Sequence, residues 1–324
     1  MSMARSLWIL ARPRGMLLVA LLPLVGFAFA QWDHGCELPG MTWLPPVLTL
    51  LALWAVPHAG TMWLNAALDR DDKATLFGAV ATVPRGIEYF AYPTLAFSVI
   101  GALYHGSLIG LCVIGCAVLS IVYSHPRTQW KGHAWLGPLA NALGYAVLSP
   151  LGGWALADRP PTLRLVMVIA IAVPWILAAY FAAQAFQQEE DRERGYRTLV
   201  ATHGALATLK VTRGLFALAL GATLLASAVG YFPRAVLLAA PLFFWVDRVL
   251  VEWMRLPDGG DESWARRFFV RLTIAGLAVL LLVSLQYEWQ RSQGGPLGGR
   301  GTAMGRPDPI VCIEPWNLPP TSPP

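Results

Sequence analysis

The sequence predicts an all-α integral membrane protein of nine transmembrane helices bundled around a central cavity, with the N-terminus cytoplasmic. Three observations carry that prediction. Of 324 residues, 56% are hydrophobic and only 13% charged, too little polar surface for a soluble enzyme of this size. Apolar runs long enough to cross a hydrocarbon core, about 20 residues each, recur along the chain. The Lys and Arg residues between them fall to one side.

The runs span residues 15–30, 45–68, 87–104, 106–123, 135–157, 163–186, 211–230, 234–253 and 268–286. With the N-terminus inside, 18 of the 24 basic residues lie in cytoplasmic segments, the orientation that basic loops favour. The net charge of +5 then orients the chain and faces anionic lipid heads, so nucleic acid is not required as a partner. Met16–Ala30 is followed by no small-residue cleavage site and reads as a retained first span. Cys112 and Cys116 sit one turn apart within a span and read as packing residues; Cys36 and Cys312 face the outer side, and no pairing is assigned to them. Residues 1–290 form the expected membrane domain. Residues 291–324, with GGPLGGRG and NLPPTSPP, read as a flexible appendage.

Seven of the 19 carboxylates lie at the cytoplasmic ends of the second and sixth spans, in LNAALDRDDKA and QQEEDRERGYRTL. At about 100° per residue, His58, Thr61, Asn65, Asp69 and Asp72 share one face of the second span, whereas Asp71 points elsewhere. If the sixth helix continues, Tyr180, Gln184, Gln187, Gln188 and Asp191 share another. Polar stripes at membrane depth usually face a bundle interior or a watery cavity, although Asn and Gln also serve as glue between helices. Two such stripes on one side, ending in acids amid basic loops, favour a shared cavity open to the cytoplasm. Carboxylates beside Lys and Arg suit Mg²⁺ carrying a phosphate group. The basic candidates are Lys73, Arg85, Arg127, Lys131, Arg194 and Arg197. Tyr123, Tyr145 and Tyr180 lie near the expected chamber. His58 reads as a histidine satisfied inside the bundle.

These residues resemble the UbiA superfamily of intramembrane prenyltransferases. Its first signature, Asn-Asp-x-x-Asp-x-x-x-Asp, corresponds to Asn65–Lys73, and its second, Asp-x-x-x-Asp with a following GDRxxGxRTLP, to Gln187–Leu199; DRERGYRTL is the most specific match. ARPRGMLLVALLPLVGFA looks like the family's first helix and VPRGIE like its LPSGxI loop. VYSHPRTQWKGHAWLGPLANALGY is similar to the fourth loop of chlorophyll-synthase-like and quinone-directed members. Ala66, Lys73 and Gln187 stand where the family carries acids, although Asp72 keeps the face of Asp69 and Gln187 retains a neutral oxygen.

The resemblance implies an Mg²⁺-dependent transfer of a prenyl group from an isoprenoid diphosphate to an aromatic, quinone-precursor or other hydrophobic acceptor, at a site facing the cytoplasm of the cell's inner membrane. It implies Asp69 and Asp191 as catalytic, and Asp69, Asp72 and Asp191 as metal ligands. Asn65, Arg127, Lys131, Arg197, Tyr123, Tyr180 and Gln187 would bind substrate. A terpene cyclase on the same fold and a binding or scaffolding membrane protein remain the alternative readings.

Overall fold

The computed structural model describes residues 2–33, 44–69, 83–256 and 259–292. Among the described residues it is helical, with no β-sheet. Helix α1 covers Met3–Leu10, α2 Pro13–Asp33, α3 Leu44–Asp69, α4 Glu88–His105 and α5 Ser107–Ser124. A second group follows: α6 Leu136–Asn141, α7 Ser149–Leu156, α8 Leu163–Gln184, α9 Gln188–Glu193, α10 Leu199–Ala228, α11 Ala240–Trp253 and α12 Glu262–Ser292. Helices suit an apolar surrounding because each satisfies its own backbone polar groups. Five of them, α3, α5, α8, α10 and α12, are each long and apolar enough to cross a membrane. Cys36, Asp71, Asp72, Lys73, Cys312 and the appendage from residue 293 lie outside the described residues.

The helices cover the predicted runs, with two informative differences. The run 135–157 is one path built from α6, a π-helical stretch over Ala142–Leu148, and α7. Pro150 has no N–H to give, and the preceding Ser149 donates from both its N–H and its hydroxyl to the carbonyl of Gly144, the latter at 2.8 Å, five residues back. Trp54 Nε1 anchors the same hydroxyl at 2.9 Å. The run 211–230 is only part of α10, which begins at Leu199 and bends at Gly204, where φ is +82°.

Among the described residues the two largest apolar cores lie in different parts of the bundle. Phe27, Trp54, Ile109 and Trp154 centre the one among α2, α3, α5 and α7. Phe216, Phe243, Trp253 and Phe268 centre the other, among α10, α11 and α12, with Ala178 and Ala182 of α8 completing it. Helices α2 and α7 approach to backbone contact: a Cβ on Gly153 would stand 1.8 Å from the carbonyl oxygen of Pro23, and one on Gly26 1.9 Å from that of Pro150. Small residues allow this approach where lipid leaves no hydrophobic drive between helices. Phe97, Leu111, Leu218 and Leu281 point outward, as lipid-facing side chains do.

One end of the bundle is locked by a buried ion pair. Arg164, at the start of α8, donates from Nε to Asp33 at 2.7 Å and from Nη1 to the carbonyl of Tyr231 at 2.6 Å. Its guanidinium also lies over the Trp32 ring, 4.6 Å from the centroid, while Thr162 donates to the other Asp33 oxygen. The lock thus joins α2, α8 and the segment after α10.

Candidate functional site

The other end of α8 carries the candidate site, which forms where the ends of α3, α5 and α9 meet. Helix α3 is fixed there by α1: Trp63 Nε1 donates to the carbonyl of Leu7 at 2.8 Å, and Leu10, Ala66 and Ile87 bury one another. Its polar face then divides by depth. Thr61 and Ser120 of α5 share a hydrogen bond of 2.8 Å, a structural contact between helices. One turn further, Asn65 Oδ1 accepts from Ser124 at 3.1 Å and also from Lys131 Nζ at 3.1 Å. Asp69, a further turn on, forms an ion pair with Lys131 in which both side chains are buried, at 7% and 8% exposure.

Lys131 reaches these acids because the chain after α5 turns back sharply. Thr128 donates to the carbonyl of Val122 at 2.7 Å, Gln129 takes a left-handed conformation at φ +43°, and a 3₁₀ turn over Trp130–Gly132 directs the lysine inward. The segment after α9 is stitched to it. Arg197 N–H donates to the carbonyl of Gly132 at 2.7 Å, and the Tyr196 ring covers Gly132 so closely that an added Cβ would stand 2.6 Å from it.

Asp191 lies in α9, 7% exposed, and accepts a short hydrogen bond from Thr198, which also caps α10 by accepting from Ala201 N–H at 3.3 Å. Arg194 joins the two acidic segments: it pairs with Glu190 at 2.7 Å and faces Asp69 at 3.7 Å. Beneath them, the Tyr123 hydroxyl bonds Asn141 and Tyr180 and lies within electrostatic reach of both Asp69 and Asp191. Gln184 donates to the Tyr180 hydroxyl at 2.9 Å.

Asn65, Asp69, Lys131, Asp191, Tyr123 and Tyr180 are therefore brought to one place, together with Arg194. The remaining sequence candidates are distributed differently. The side chains of Arg127 and Arg197 are exposed, and Arg197 serves the site through its backbone. Gln187 caps α9, its carbonyl accepting from Asp191 N–H at 2.9 Å. Asp72 lies outside the described residues. The expected single stripe from Tyr180 to Asp191 is broken, because α8 ends at Gln184 and the chain turns before α9; Gln188 leaves the stripe and accepts from Ala205 N–H at 3.2 Å, beyond the Gly204 bend. Thr198, Ser124 and Asn141 were not singled out by sequence. A threonine before an apolar helical run is a capping signal, so Thr198 was readable in part; the other two are set by contacts distant in the chain.

His58 is not satisfied as expected: its Nε2 is buried with no hydrogen-bond partner among the described residues. An unpaired buried polar group costs about 1–3 kcal/mol. His58→Phe is therefore expected to raise stability by about 1 kcal/mol, read as a higher midpoint of thermal unfolding in detergent.

Burial pushes the Asp191 carboxyl up from 3.8 to about 6; Glu190 adds to the rise, while the Thr198 hydrogen bond and Arg194 oppose it. Because the folded-state value is raised, its contribution to stability is full below pH 3.8 and is lost as pH rises through about 6. At pH 7 the metal-free protein carries a cost of about 1–3 kcal/mol. Metal-free Asp191→Asn is expected to exceed the native chain in stability by that amount at pH 7.5 and to converge with it only below pH 3.8, measured by unfolding in chelator.

Asp69, Asp191 and Glu190 offer hard oxygens of the kind divalent Mg²⁺ takes. Among the described residues no three His, Cys, Asp or Glu side chains converge as a metal cage. That donor set fits a cation held by one or two carboxylates and completed by phosphate oxygens and water.

Residues 78–273, more than half of the chain, match the model of the UbiA prenyltransferase family. The chain belongs to that family. With its apolar helices, this UbiA-family chain is a multi-pass integral membrane protein. It shares its fold with a UbiA homolog from Archaeoglobus fulgidus bound to GPP and Mg²⁺, at TM-score 0.63 and 18% identity over 86% of this chain and 99% of that one. The same homolog bound to DMAPP and Mg²⁺ superposes at TM-score 0.61, with 16% identity over 85% and 99%. A structure described for digeranylgeranylglyceryl phosphate synthase in membranes gives TM-score 0.59 and 14% identity over 88% and 99%. Comparison with curated proteins found no match. The family match begins after Asn65 and Asp69, so these two residues lie outside the matched range, and the Lys131 that they meet lies within it.

Proposed function

We propose that this chain transfers a prenyl group from an isoprenoid diphosphate to a hydrophobic acceptor. The observation that carries this reading is the meeting of Asp69, Lys131, Arg194 and Asp191 above the Tyr123–Tyr180 pair at one end of an apolar bundle. Solved structures of the same fold hold GPP or DMAPP with Mg²⁺.

Asp69 and Asp191 are the acids that set the geometry, and Lys131 and Arg194 are placed to receive the phosphate oxygens. Arg127 and Arg197, at the rim, attract the diphosphate, and Asn65 orients Lys131. Bound Mg²⁺, held by Asp191 and Glu190, would neutralise charge on the diphosphate as it leaves. The C1–O bond breaks with both electrons going to the diphosphate, and the acceptor attacks C1 and gives up a proton. The hydrogen-bonded hydroxyls of Tyr123 and Tyr180 lie beneath the charged end of the site, and their rings would stabilise positive charge on an allylic carbon brought beside them. The apolar surroundings exclude water that would otherwise capture the cation.

In this reading residues 1–290 form the catalytic domain with nine spans, N-terminus inside and the site on the cytoplasmic face, and residues 291–324 form an appendage. The test incubates membranes with Mg²⁺, labelled diphosphates of several chain lengths and a lipid extract. Consumption that needs the extract and is lost in Asp191→Asn supports transfer. Release of hydrocarbon or terpene alcohol without an acceptor would convert the reading to a cyclase, and no consumption of any diphosphate would make the chain a binding protein.

A further inference from the structure

We propose that Lys131 is a built-in cation that fills the Asn65–Asp69 half of the site, so that a single divalent cation binds, beside Asp191. The inference rests on the diphosphate reading above and specifies how its charge is provided.

The two acids are in different electrostatic states. Asn65 Oδ1 already accepts from Ser124 and Lys131, both at 3.1 Å, which uses both of its lone pairs. Asp69 gives one carboxylate oxygen to the Lys131 ammonium and turns the other toward Arg194 at 3.7 Å. Among the described residues two positive side chains thus answer one buried carboxylate, and a divalent ion placed there would meet an ammonium already lodged on Asn65 and Asp69. Lys131 is not a surface chain resting nearby, since it is 8% exposed and held by a turn stitched to the segment after α9.

Asp191 is the opposite case. It is 7% exposed, and one oxygen accepts from Thr198. Among the described residues its other oxygen accepts no hydrogen bond, and the carboxylate is in no ion pair, because Arg194 is taken up by Glu190 and Asp69. An acid buried without a direct ion pair attracts a cation strongly. The cation, Lys131 and Arg194 would then surround a diphosphate from different sides, one charge supplied by metal and two by the chain.

Metal stoichiometry tests this without turnover. The full-length protein in detergent is titrated with Mn²⁺ in the presence of inorganic pyrophosphate and followed by electron paramagnetic resonance. One isolated Mn²⁺ per chain is expected, lost in Asp191→Asn and retained in Asp69→Asn. Lys131→Gln is expected to admit a second ion, seen as a spin-coupled pair. A coupled pair in the native chain would overturn the inference and leave the diphosphate reading standing. So would loss of the ion in Asp69→Asn with retention in Asp191→Asn. Failure of the native chain to bind any Mn²⁺ with pyrophosphate would reject both. If Lys131→Gln does not fold, the native stoichiometry and the two aspartate variants decide the matter.

Discussion

Asp69→Asn is expected to lower diphosphate consumption by on the order of 10³. Loss of one preorganised group aimed at developing charge costs about 10²–10³ in rate, and Asp69 holds two such groups, Lys131 and Arg194, from a single buried position. The variant is also expected to lose stability. Removing one partner of a buried pair strands the other charge at a cost of about 3–5 kcal/mol. The two effects separate in Asp69→Asn/Lys131→Gln. With neither charge left, most of the stability returns, whereas turnover does not. Diphosphate release and denaturant unfolding, measured on the two single variants and the double, form a cycle that isolates the pair. Recovery of turnover in the double variant would show the pair to be structural and would place the chemistry elsewhere.

The two halves of this site differed in how much the sequence revealed. On α3, Asn65 and Asp69 lie four residues apart within an unbroken helix, so helical arithmetic placed them on one face, and the structure joins both to Lys131. The same arithmetic failed past Gln184, where no proline or glycine announces the end of α8. The turn there goes with a contact far along the chain, Gln188 satisfying the N–H of Ala205 where Gly204 bends α10. Asp191 still reaches the site, carried by a separate short helix and the Thr198 hydrogen bond rather than by an extended stripe. Arg194 shows a related limit. As one of the basic residues after the sixth span it is indistinguishable from Arg197 by sequence, and only the closed geometry makes it the bridge between Asp69 and Glu190. The π-helical stretch was equally hidden, because its register is secured by Ser149, which Trp54 anchors from α3.

The lock at the far end of α8 separates stability from chemistry. Arg164 and Gln184 are twenty residues apart on α8, so the lock and the site end of the helix lie about 30 Å apart along it. Arg164 is 4% exposed and Asp33 12%, so Arg164→Met leaves a buried carboxylate whose direct partner is then the Thr162 hydroxyl, and releases the Tyr231 carbonyl as well. A loss of about 3–5 kcal/mol is expected, seen as a lower unfolding midpoint in detergent. Adding Asp33→Leu should recover most of it, because a buried pair replaced by apolar side chains of similar volume is often neutral or stabilising. At a temperature where the variants remain folded, Mn²⁺ stoichiometry with pyrophosphate should match the native chain, since no residue of the lock touches Asp69, Lys131 or Asp191. A change in that stoichiometry would mean that α8 transmits the state of one end of the bundle to the other.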